Sequence, residues 1–209
     1  MALESTIPIE HLYKVRTSVL KPEQCEDIIS VWDGIEKSPA KLYNDRIRAQ
    51  DPNSDNTFKD TRFRGGEIAW LKPDDCPHWT IIRDEMLRWN FEKMLILNGT
   101  YRLQLTKYQE GDGFKKHQDV SVKQWSNMLE PYSVRKMSAT LQLSDRNDYE
   151  GGEFLFFSEK TLKGSKARTA PKGKGDMFMF PSYCEHEVRP VTKGTRWALV
   201  VWAEGPYWR

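Results

Sequence analysis

The segment Met137-Ser-Ala-Thr-Leu-Gln-Leu143 alternates apolar and polar side chains with a period of two residues. Because successive side chains of a strand point to opposite faces of a sheet, this period predicts a strand with one apolar and one polar face. Residues 101–106 repeat the pattern, and four later segments have strand-like composition with glycine-containing turns between them. These segments are residues 153–157, 176–180, 187–191 and 196–202. Short strands joined by turns predict an antiparallel sandwich or barrel.

Residues 1–100 show the period of helices instead. One helix is predicted to begin at Pro22 and a second near Pro77, each with apolar residues at the spacing of a single buried face. The predicted buried positions are Cys25, Ile28, Ile29 and Trp32 in the first helix, and Trp79, Ile82, Met86 and Trp89 in the second. We therefore predict a mainly β fold of the α+β class, with one domain over residues 1–209. In it, a helix-rich support region (1–100) packs on one side of a β-core (101–204).

The bulk composition limits location and partners. The 209 residues carry a net charge of +2, which favours no class of charged partner, and no apolar run approaches the length of a membrane span. Three cysteines at wide spacing do not resemble a disulfide framework, which favours a reducing compartment. Since residues 1–12 have no apolar signal core, we predict a cytoplasmic protein with no membrane partner.

A metal-binding pattern lies in the strand-rich half. His117-Gln-Asp119 places an imidazole and a carboxylate on the same face of extended backbone, and His186 follows on a later predicted strand. Two histidines and one carboxylate suit non-haem Fe(II) and leave coordination positions open for a 2-oxo acid and O2. The His-x-Asp spacing is a weak signal on its own, because His117 then also fits a surface histidine on a glycine-rich turn.

Arg196 strengthens the metal hypothesis. It begins the strand after His186, beyond a glycine turn, and the apolar residues 197–202 that follow it predict a strand buried on both faces. A buried guanidinium needs a carboxylate, and the distal carboxylate of 2-oxoglutarate is a natural partner because its other end chelates the metal. The alternative is a surface arginine paired with Glu187 or Glu204.

Three blocks of sequence resemble the prolyl 4-hydroxylase-type 2-oxoglutarate oxygenases, in particular their small bacterial and phage-like members. Residues 108–119, Tyr-Gln-Glu-Gly-Asp-Gly-Phe-Lys-Lys-His-Gln-Asp, resemble the first metal motif of that family. Residues 141–153 resemble the next strand and its double-glycine hairpin, and residues 175–181 with 186–196 resemble the second metal motif and its arginine. The blocks agree with the family in order and spacing, and they lie within residues 101–204.

The resemblance implies a double-stranded β-helix, a jelly-roll core with iron at its open end. It assigns His117, Asp119 and His186 as iron ligands and catalytic residues, and Arg196 as the anchor of 2-oxoglutarate. It also implies Fe(II) as the cofactor, 2-oxoglutarate and O2 as co-substrates, and ascorbate as an optional addition.

Further candidates for the 2-oxoglutarate site come from the same resemblance. Tyr108 matches a tyrosine that hydrogen-bonds the distal carboxylate in many members, although it also fits a strand-end aromatic packed in the core. The strand after the metal aspartate offers Thr140 and Gln142, and the sequence does not decide between them. Phe114 stands where some members carry tyrosine, which argues against a hydroxyl-dependent role at that position.

The expected activity is hydroxylation of an unactivated C–H bond, with a prolyl residue in a peptide or protein as the substrate that the resemblance implies. Two alternatives stay open: the same chemistry on a free amino acid, another small molecule or a nucleobase, and a non-enzymatic jelly-roll binding module that keeps its metal for structure. A clamp made of Arg196 and Tyr108 argues against the binding module, because a structural metal needs no 2-oxoglutarate.

Other patterns in the sequence are weaker. Residues 120–133 fit a lid over the iron and a packed surface helix equally well. The basic residues within 159–175 fit a contact with nucleic acid or an acidic peptide, but such a stretch is more often a solvated hairpin, which we favour. No aromatic residues interleave them, so stacking on single-stranded bases is poorly supported. Two Cys-x-His pairs, residues 76–78 and 184–186, offer the ligands of a zinc site, which we disfavour because it would take His186 away from the iron.

Overall fold

A computed structural model describes residues 12–40, 42–43, 57–58, 63–120, 133–161 and 164–206. The described residues contain two α-helices, α1 (Pro22–Ser30) and α2 (Trp79–Lys93), and fifteen strands. The strands are β1 (Lys14–Arg16), β2 (Lys37–Pro39), β3 (Leu42–Tyr43), β4 (Thr57–Phe58), β5 (Glu67–Leu71), β6 (Tyr101–Tyr108), β7 (Phe114–His117), β8 (Val134–Gln142), β9 (Tyr149–Gly151), β10 (Phe154–Thr161), β11 (Gly164–Thr169), β12 (Met177–Pro181), β13 (Glu185–Val188), β14 (Val191–Gly194) and β15 (Arg196–Gly205). The segment predicted as a lid or surface helix, 120–133, lies outside the described residues except for its two ends.

Two antiparallel sheets make up most of the fold. The larger has seven strands in the order β1-β12-β8-β15-β6-β5-β2, and the smaller has four in the order β11-β10-β13-β7. From β6 to β15 the chain passes back and forth between these sheets, with β6, β8, β12 and β15 in the larger and β7, β10, β11 and β13 in the smaller. Eight strands divided in this way between two packed sheets form a jelly roll, so the predicted double-stranded β-helix is confirmed.

The larger sheet separates two hydrophobic cores. The apolar residues of the alternating strands, such as Leu105 and Leu141, are fully buried in a core shared with α1 and α2. The second core lies between the two sheets and is mainly aromatic. Its members include Phe154, Phe156, Phe178 and Phe180, and the rings that contact one another have centroids 5.4 to 5.8 Å apart.

The polar residues of the alternating strands are buried as well. Gln104 and Thr106 of β6 and Ser138, Thr140 and Gln142 of β8 are all at most 8% exposed. These side chains point from the larger sheet toward the smaller one, since a period of two places them opposite the apolar set. The sequence pattern therefore marks the inner wall of the jelly roll, a polar surface shielded from bulk water.

The two helices form where they were predicted, although Trp32 lies beyond the end of α1 and both Ile29 and Trp79 are only partly buried. Helix α1 begins at Pro22, and Cys25 and Ile28 are its buried positions. Helix α2 begins at Trp79 and buries Ile82, Met86 and Trp89. Each helix lays this apolar face on the larger sheet, which is why single buried stripes were visible in the sequence.

The structure contains strands that the period of two did not predict, among them β7, β9 and β11, and it divides one predicted strand. Residues 1–100 supply β1, β2 and β5, which extend the larger sheet at both edges and were too short or too irregular to show a period. The predicted strand 187–191 is divided: β13 ends at Val188 and β14 begins at Val191. Pro190 lies between them, and proline cannot donate to a ladder, so the division follows from its chemistry.

Candidate metal centre

The three predicted metal ligands converge on the smaller sheet. His117 ends β7 and lies directly opposite His186 of β13 in the antiparallel register, and Asp119 follows two residues after β7. His117 Nε2 lies 3.7 Å from Asp119 Oδ1, and His186 Nε2 lies 3.6 Å from Asp119 Oδ2. The potential ligand atoms all lie within 4.8 Å of one another, a spacing that suits a single ion. Strand pairing thus brings together residues that are far apart in the sequence.

Backbone hydrogen bonds orient both imidazoles. His117 Nδ1 lies 2.7 Å from the carbonyl oxygen of Lys115, and His186 Nδ1 lies 3.0 Å from that of Cys184. A carbonyl oxygen can only accept, so each Nδ1 carries the proton and donates it. Each Nε2 is then left with its lone pair free to bind a metal. Histidines that bind metals in proteins usually make this second hydrogen bond, which fixes the tautomer and the ring orientation.

The charge states of the site also suit metal binding. Burial, together with the nearby His117, lowers the pKa of His186 to about 4, so this imidazole is neutral near pH 7. Burial opposes ionisation of Asp119, but the adjacent imidazoles outweigh that effect and hold the pKa of this carboxyl well below its usual range. A neutral imidazole beside an ionised carboxylate needs to lose no proton before it binds a cation.

Arg196 begins β15 and is only 3% exposed. Its guanidinium lines the same cavity as the three candidate ligands, and its Nε atom is buried with no hydrogen-bond partner in the described part of the chain. Buried arginines are normally paired with an acid, so this one provides a site for a carboxylate that the described residues do not supply.

The surface-arginine alternative for this residue is wrong. The two acids considered as partners are each engaged elsewhere: Glu187 pairs with Arg189 at 2.9 Å, and Glu204 pairs with Arg102. The burial of Arg196 follows from its strand, since β15 lies in the middle of the larger sheet with β8 on one side and β6 on the other.

Tyr108 lies directly across the strand pair from Arg196 and lines the same cavity. Its ring is 4% exposed and belongs to the aromatic core, and the Arg196 guanidinium carbon lies 5.5 Å from the ring centroid. Burial raises the pKa of Tyr108, which keeps its phenol protonated and able to donate. Tyr108 therefore fits both interpretations made from the sequence: its ring packs in the aromatic core, and the residue also lines the cavity.

Thr140 and Gln142 occupy neighbouring positions on the inner face of β8. Thr140 lines the main cavity and a smaller adjoining one, and Arg196 lines both. Gln142 lines only the smaller cavity, and its amide nitrogen donates to the carbonyl oxygen of Ser144 at 3.2 Å and to the hydroxyl of Tyr149 at 3.0 Å. Both side chains thus face the region beside Arg196, and their contact with 2-oxoglutarate stays a prediction.

The main cavity encloses about 460 Å³ of space, part of it open to solvent. Its wall is largely apolar, with the polar groups concentrated at the triad, at Arg196 and at Arg64. The smaller adjoining cavity encloses about 260 Å³. A concave, mostly apolar space with a few convergent polar groups is typical of a small-molecule site.

Several lining residues were not identified from the sequence. Arg64, which precedes β5, holds its guanidinium 4.5 Å from the ring of Phe114 and donates to Gln104 Oε1 at 3.2 Å. Phe114 in turn stacks on His117, with 3.4 Å between the ring centroids. The alternation of β6 marked Gln104 as a polar face residue, but nothing in the sequence placed Arg64 near that face, because the contact joins segments 40 residues apart.

The zinc alternative does not match the structure. Cys76 belongs to the core between the larger sheet and the helices, and Cys184 belongs to the aromatic core between the two sheets. His78 instead pairs with Asp27 at 2.7 Å. Within the described ranges, His117, Asp119 and His186 are the one group of three or more potential metal ligands.

Comparison with known proteins agrees with this geometry. Residues 103–204 match the sequence profile of the 2OG-Fe(II) oxygenase superfamily. A PKHD-type hydroxylase of Idiomarina loihiensis is 36% identical over 104 residues, which make up 49% of this chain and 42% of that protein. A PKHD-type hydroxylase of Synechococcus sp. is 33% identical over 109 residues, 52% of this chain and 44% of that protein. The chain therefore spans less than half the length of these two curated relatives.

Solved structures share the fold. A Pseudomonas putida prolyl-4-hydroxylase superposes with a TM-score of 0.67 at 19% identity, over 93% of this chain and 94% of that one. A Trichoplax adhaerens prolyl hydroxylase, solved with a peptide of the hypoxia-inducible-factor oxygen degradation domain, superposes with a TM-score of 0.63 at 16% identity, over 93% and 84%.

Residues 103–204 therefore form a 2OG-Fe(II) oxygenase domain, a class whose members use Fe(II), 2-oxoglutarate and O2. The two curated relatives are PKHD-type hydroxylases, and the likeness to solved prolyl hydroxylases, at 16–19% identity, shows a shared fold. Within the described residues, no helix is long and apolar enough to cross a membrane.

Proposed function

We propose that this chain is an Fe(II)- and 2-oxoglutarate-dependent dioxygenase that hydroxylates an unactivated C–H bond, with a prolyl residue of a peptide or protein as its substrate. One observation carries the proposal. A single cavity contains an open set of three metal ligands, His117, Asp119 and His186, together with the buried guanidinium of Arg196. A metal held only for structure is normally closed by four protein ligands and has no use for that arginine.

The donor set fits Fe(II). Two neutral imidazoles and one carboxylate are the ligands of the facial triad in non-haem iron oxygenases, and they leave coordination positions for a bidentate 2-oxo acid and for O2. When bound, Fe(II) supplies the redox chemistry by which O2 oxidises 2-oxoglutarate to succinate and CO2 and inserts one oxygen atom into the substrate C–H bond. The protein's own groups would hold the ion and surround it with a largely apolar cavity wall.

Arg196 and Tyr108 fit the distal carboxylate of 2-oxoglutarate. The guanidinium can pair with that carboxylate in a charge-assisted contact, and the Arg196 Nε proton is buried and available. The protonated phenol of Tyr108, directly across the strand pair, can donate a further hydrogen bond. Thr140 or Gln142 would complete the polar surroundings from β8.

The shape of the cavity supports a compact apolar substrate group. Its wall includes the rings of Phe114, Phe180 and Trp202 and the side chain of Val200. A pyrrolidine ring is small and apolar, so such a wall would bind it by burial of apolar surface. The structural neighbours include prolyl hydroxylases, one of them solved with a peptide. These likenesses support a peptidyl prolyl substrate for this chain.

The test is turnover with a library of proline-containing peptides, Fe(II) and 2-oxoglutarate. We expect succinate to form in step with peptides that gain the mass of one oxygen atom. Asp119→Ala should lose both products because it removes a metal ligand. Asp27→Ala is the matched control: Asp27 pairs with His78 on the surface and should retain full turnover.

The outcomes separate the alternatives. Hydroxylation of free proline or another small molecule, with no modified peptide, would support the small-molecule alternative and contradict the proposal that the substrate is a peptide or protein. Absence of succinate with every substrate tried, from protein that holds iron, would overturn the enzymatic assignment.

A further inference from the structure

Two buried serines connect to the carboxylate of Asp119, one directly and the other through the first. The Ser138 hydroxyl lies 2.6 Å from Asp119 Oδ2, and the Ser182 hydroxyl lies 2.9 Å from that of Ser138. Both serines are 0% exposed. The Asp119 backbone N–H also donates to the Ser182 carbonyl oxygen at 3.0 Å. Asp119 is therefore held through its side chain by a residue of β8 and through its backbone by the residue that follows β12.

The direction of these hydrogen bonds follows from the charge of the aspartate. An ionised carboxylate only accepts, so Ser138 must donate its single hydroxyl proton to Asp119 Oδ2. The Ser138 oxygen is then left as an acceptor, and Ser182 donates to it. The result is a directed chain, Ser182 to Ser138 to Asp119, in which each buried hydroxyl is satisfied.

The fold explains why these serines meet Asp119. Ser138 lies on the inner face of β8, and Ser182 immediately follows β12, the strand paired with β8. Asp119 comes from the end of β7 in the smaller sheet, so its carboxylate approaches the polar inner wall of the larger sheet. The contact joins the two sheets at the metal site.

The contact restricts how the carboxylate can turn. The terminal torsion of aspartate is broad and roughly two-fold, so an unrestrained carboxylate samples many orientations. Asp119 Oδ1 faces His117 at 3.7 Å, and Oδ2 is fixed by the hydroxyl at 2.6 Å. A carboxylate oriented in advance loses less conformational entropy when it binds an ion.

We propose that Ser138 is a positioning residue for the metal-binding carboxylate of Asp119, and that Ser182 in turn orients Ser138. This inference rests on the proposed metal site. It assigns a role in metal affinity to two hydroxyls that touch neither the ion nor the substrate. Partners of this kind, when removed, typically weaken metal binding by about 10- to 100-fold.

The test is titration of the metal-free full chain with Mn(II), followed by calorimetry, because Mn(II) reports binding without turnover. We expect Ser138→Ala to weaken Mn(II) binding by about 10- to 100-fold, and Ser182→Ala to weaken it by a smaller factor. If the chain of hydrogen bonds is real, Ser182→Ala should have little further effect once Ser138 is alanine, since its hydroxyl then has no route to the carboxylate.

The matched control is Ser144→Ala. Ser144 is also a buried serine near the end of β8, but its hydroxyl bonds the backbone of Thr195 and Trp197 and does not contact Asp119. Its loss should leave Mn(II) affinity unchanged. Ser138→Thr, which keeps the hydroxyl, should bind Mn(II) more tightly than Ser138→Ala.

Each outcome decides one claim. Failure of the unaltered chain to bind Mn(II) would overturn the proposed metal site itself. Equal affinity for the unaltered chain and Ser138→Ala would overturn the positioning role alone, as would an equal loss in Ser144→Ala. Should Ser138→Ala fail to fold, Ser182→Ala decides by itself: unchanged Mn(II) affinity in that variant contradicts the proposal.

Discussion

Arg196 illustrates how one buried charge constrains function. Its position at the start of a central strand removes the guanidinium from water, and the described residues supply no acid to pair with it. Burying an unpaired guanidinium destabilises the folded protein unless a ligand places a negative charge beside it. This burial could be predicted from the sequence, because the apolar run from Trp197 to Trp202 indicates a strand buried on both faces.

Arg196 variants should separate 2-oxoglutarate binding from metal binding. Arg196→Ala should raise the KM for 2-oxoglutarate by at least about tenfold, since it removes a charge-assisted pair of roughly 1.5–3 kcal/mol. The KM of Arg196→Lys should lie between those of the unaltered chain and Arg196→Ala, because lysine keeps the positive charge but lacks the planar guanidinium that can bind a carboxylate through two hydrogen bonds. Neither Arg196 variant should change the affinity of the chain for Mn(II), because Arg196 is not one of the proposed metal ligands. Arg189→Ala, which alters a surface pair with Glu187, is the control, and an equal rise in KM there would contradict the assignment.

The three cysteines should resist alkylation in the folded protein. Burial raises the pKa of Cys25 to about 11 and those of Cys76 and Cys184 to about 12. At pH 8, raising a thiol pKa from 9 to about 11, as in Cys25, lowers the fraction present as reactive thiolate about a hundredfold. Labelling with iodoacetamide, read by mass, should be slow in native buffer and complete in denaturant. Rapid labelling of native Cys184 would show that the aromatic core is open.

The same pKa shifts predict alkaline sensitivity. Because the folded-state pKa values lie above the usual value of 9, the thiols favour the folded state fully below pH 9. Their contribution is lost as the pH rises from 9 toward 11–12, since the unfolded state releases these protons first. The free energy of unfolding should therefore fall over that window.

Alternation of apolar and polar residues in β6 and β8 predicted both strands and both of their faces. The sequence did not show that the polar face points inward, since alternation alone is equally typical of a sheet with one face in water. Gln104 and Ser138 could be recognised as residues near the site only once the structure showed the smaller sheet packed over this face. Short strands such as β1 and β2 were missed because three residues are too few to display a period.

The loss of stability on replacing a glycine by alanine should depend on the space available for the added Cβ and on the backbone conformation at that glycine. Gly175 has a φ of +84°, and an added Cβ would lie 2.0 Å from the Leu20 carbonyl oxygen, where the segment before α1 joins the end of β8. Gly175→Ala should lower the free energy of unfolding by about 3 kcal/mol or more, because alanine is strained in the left-handed backbone region and its Cβ would clash with the Leu20 carbonyl oxygen. Chemical denaturation provides the measurement.

Two other glycines calibrate that prediction. Gly99 has a φ of +80° with nothing within 4 Å of an added Cβ, so Gly99→Ala should cost only about 1 kcal/mol. Gly34 has an ordinary backbone and open space, so Gly34→Ala should change stability by less than about 0.5 kcal/mol. Equal stability for all three variants would contradict the close approach at Gly175.

For the whole molecule, the jelly roll brings together residues that the sequence keeps apart. Pairing of β7 with β13 joins His117 to His186, and pairing of β15 with β6 joins Arg196 to Tyr108. The motif order and its family resemblance predicted these sets. The placement of Arg64 was not predictable, because a long-range contact outside the motifs leaves no periodic signal in a single sequence.

Ligand binding should stabilise the folded chain as a unit. A metal ion and 2-oxoglutarate at about 100 times their dissociation constants would each add roughly 2.7 kcal/mol to stability. For a chain of 209 residues, that corresponds to a rise in Tm of about 5–10 °C per ligand, measured by thermal melting. His117→Ala should abolish the metal-dependent rise. His78→Ala, a surface histidine paired with Asp27, should keep it.

The most direct test is an anaerobic crystal structure of the chain grown with Mn(II) and 2-oxoglutarate, with anomalous scattering used to locate the metal. We expect one ion bound by His117, Asp119 and His186, with 2-oxoglutarate on two of its open positions and the distal carboxylate on Arg196. An ion located elsewhere, an ion closed by a fourth protein ligand, or a carboxylate that does not contact the guanidinium would contradict the proposed site.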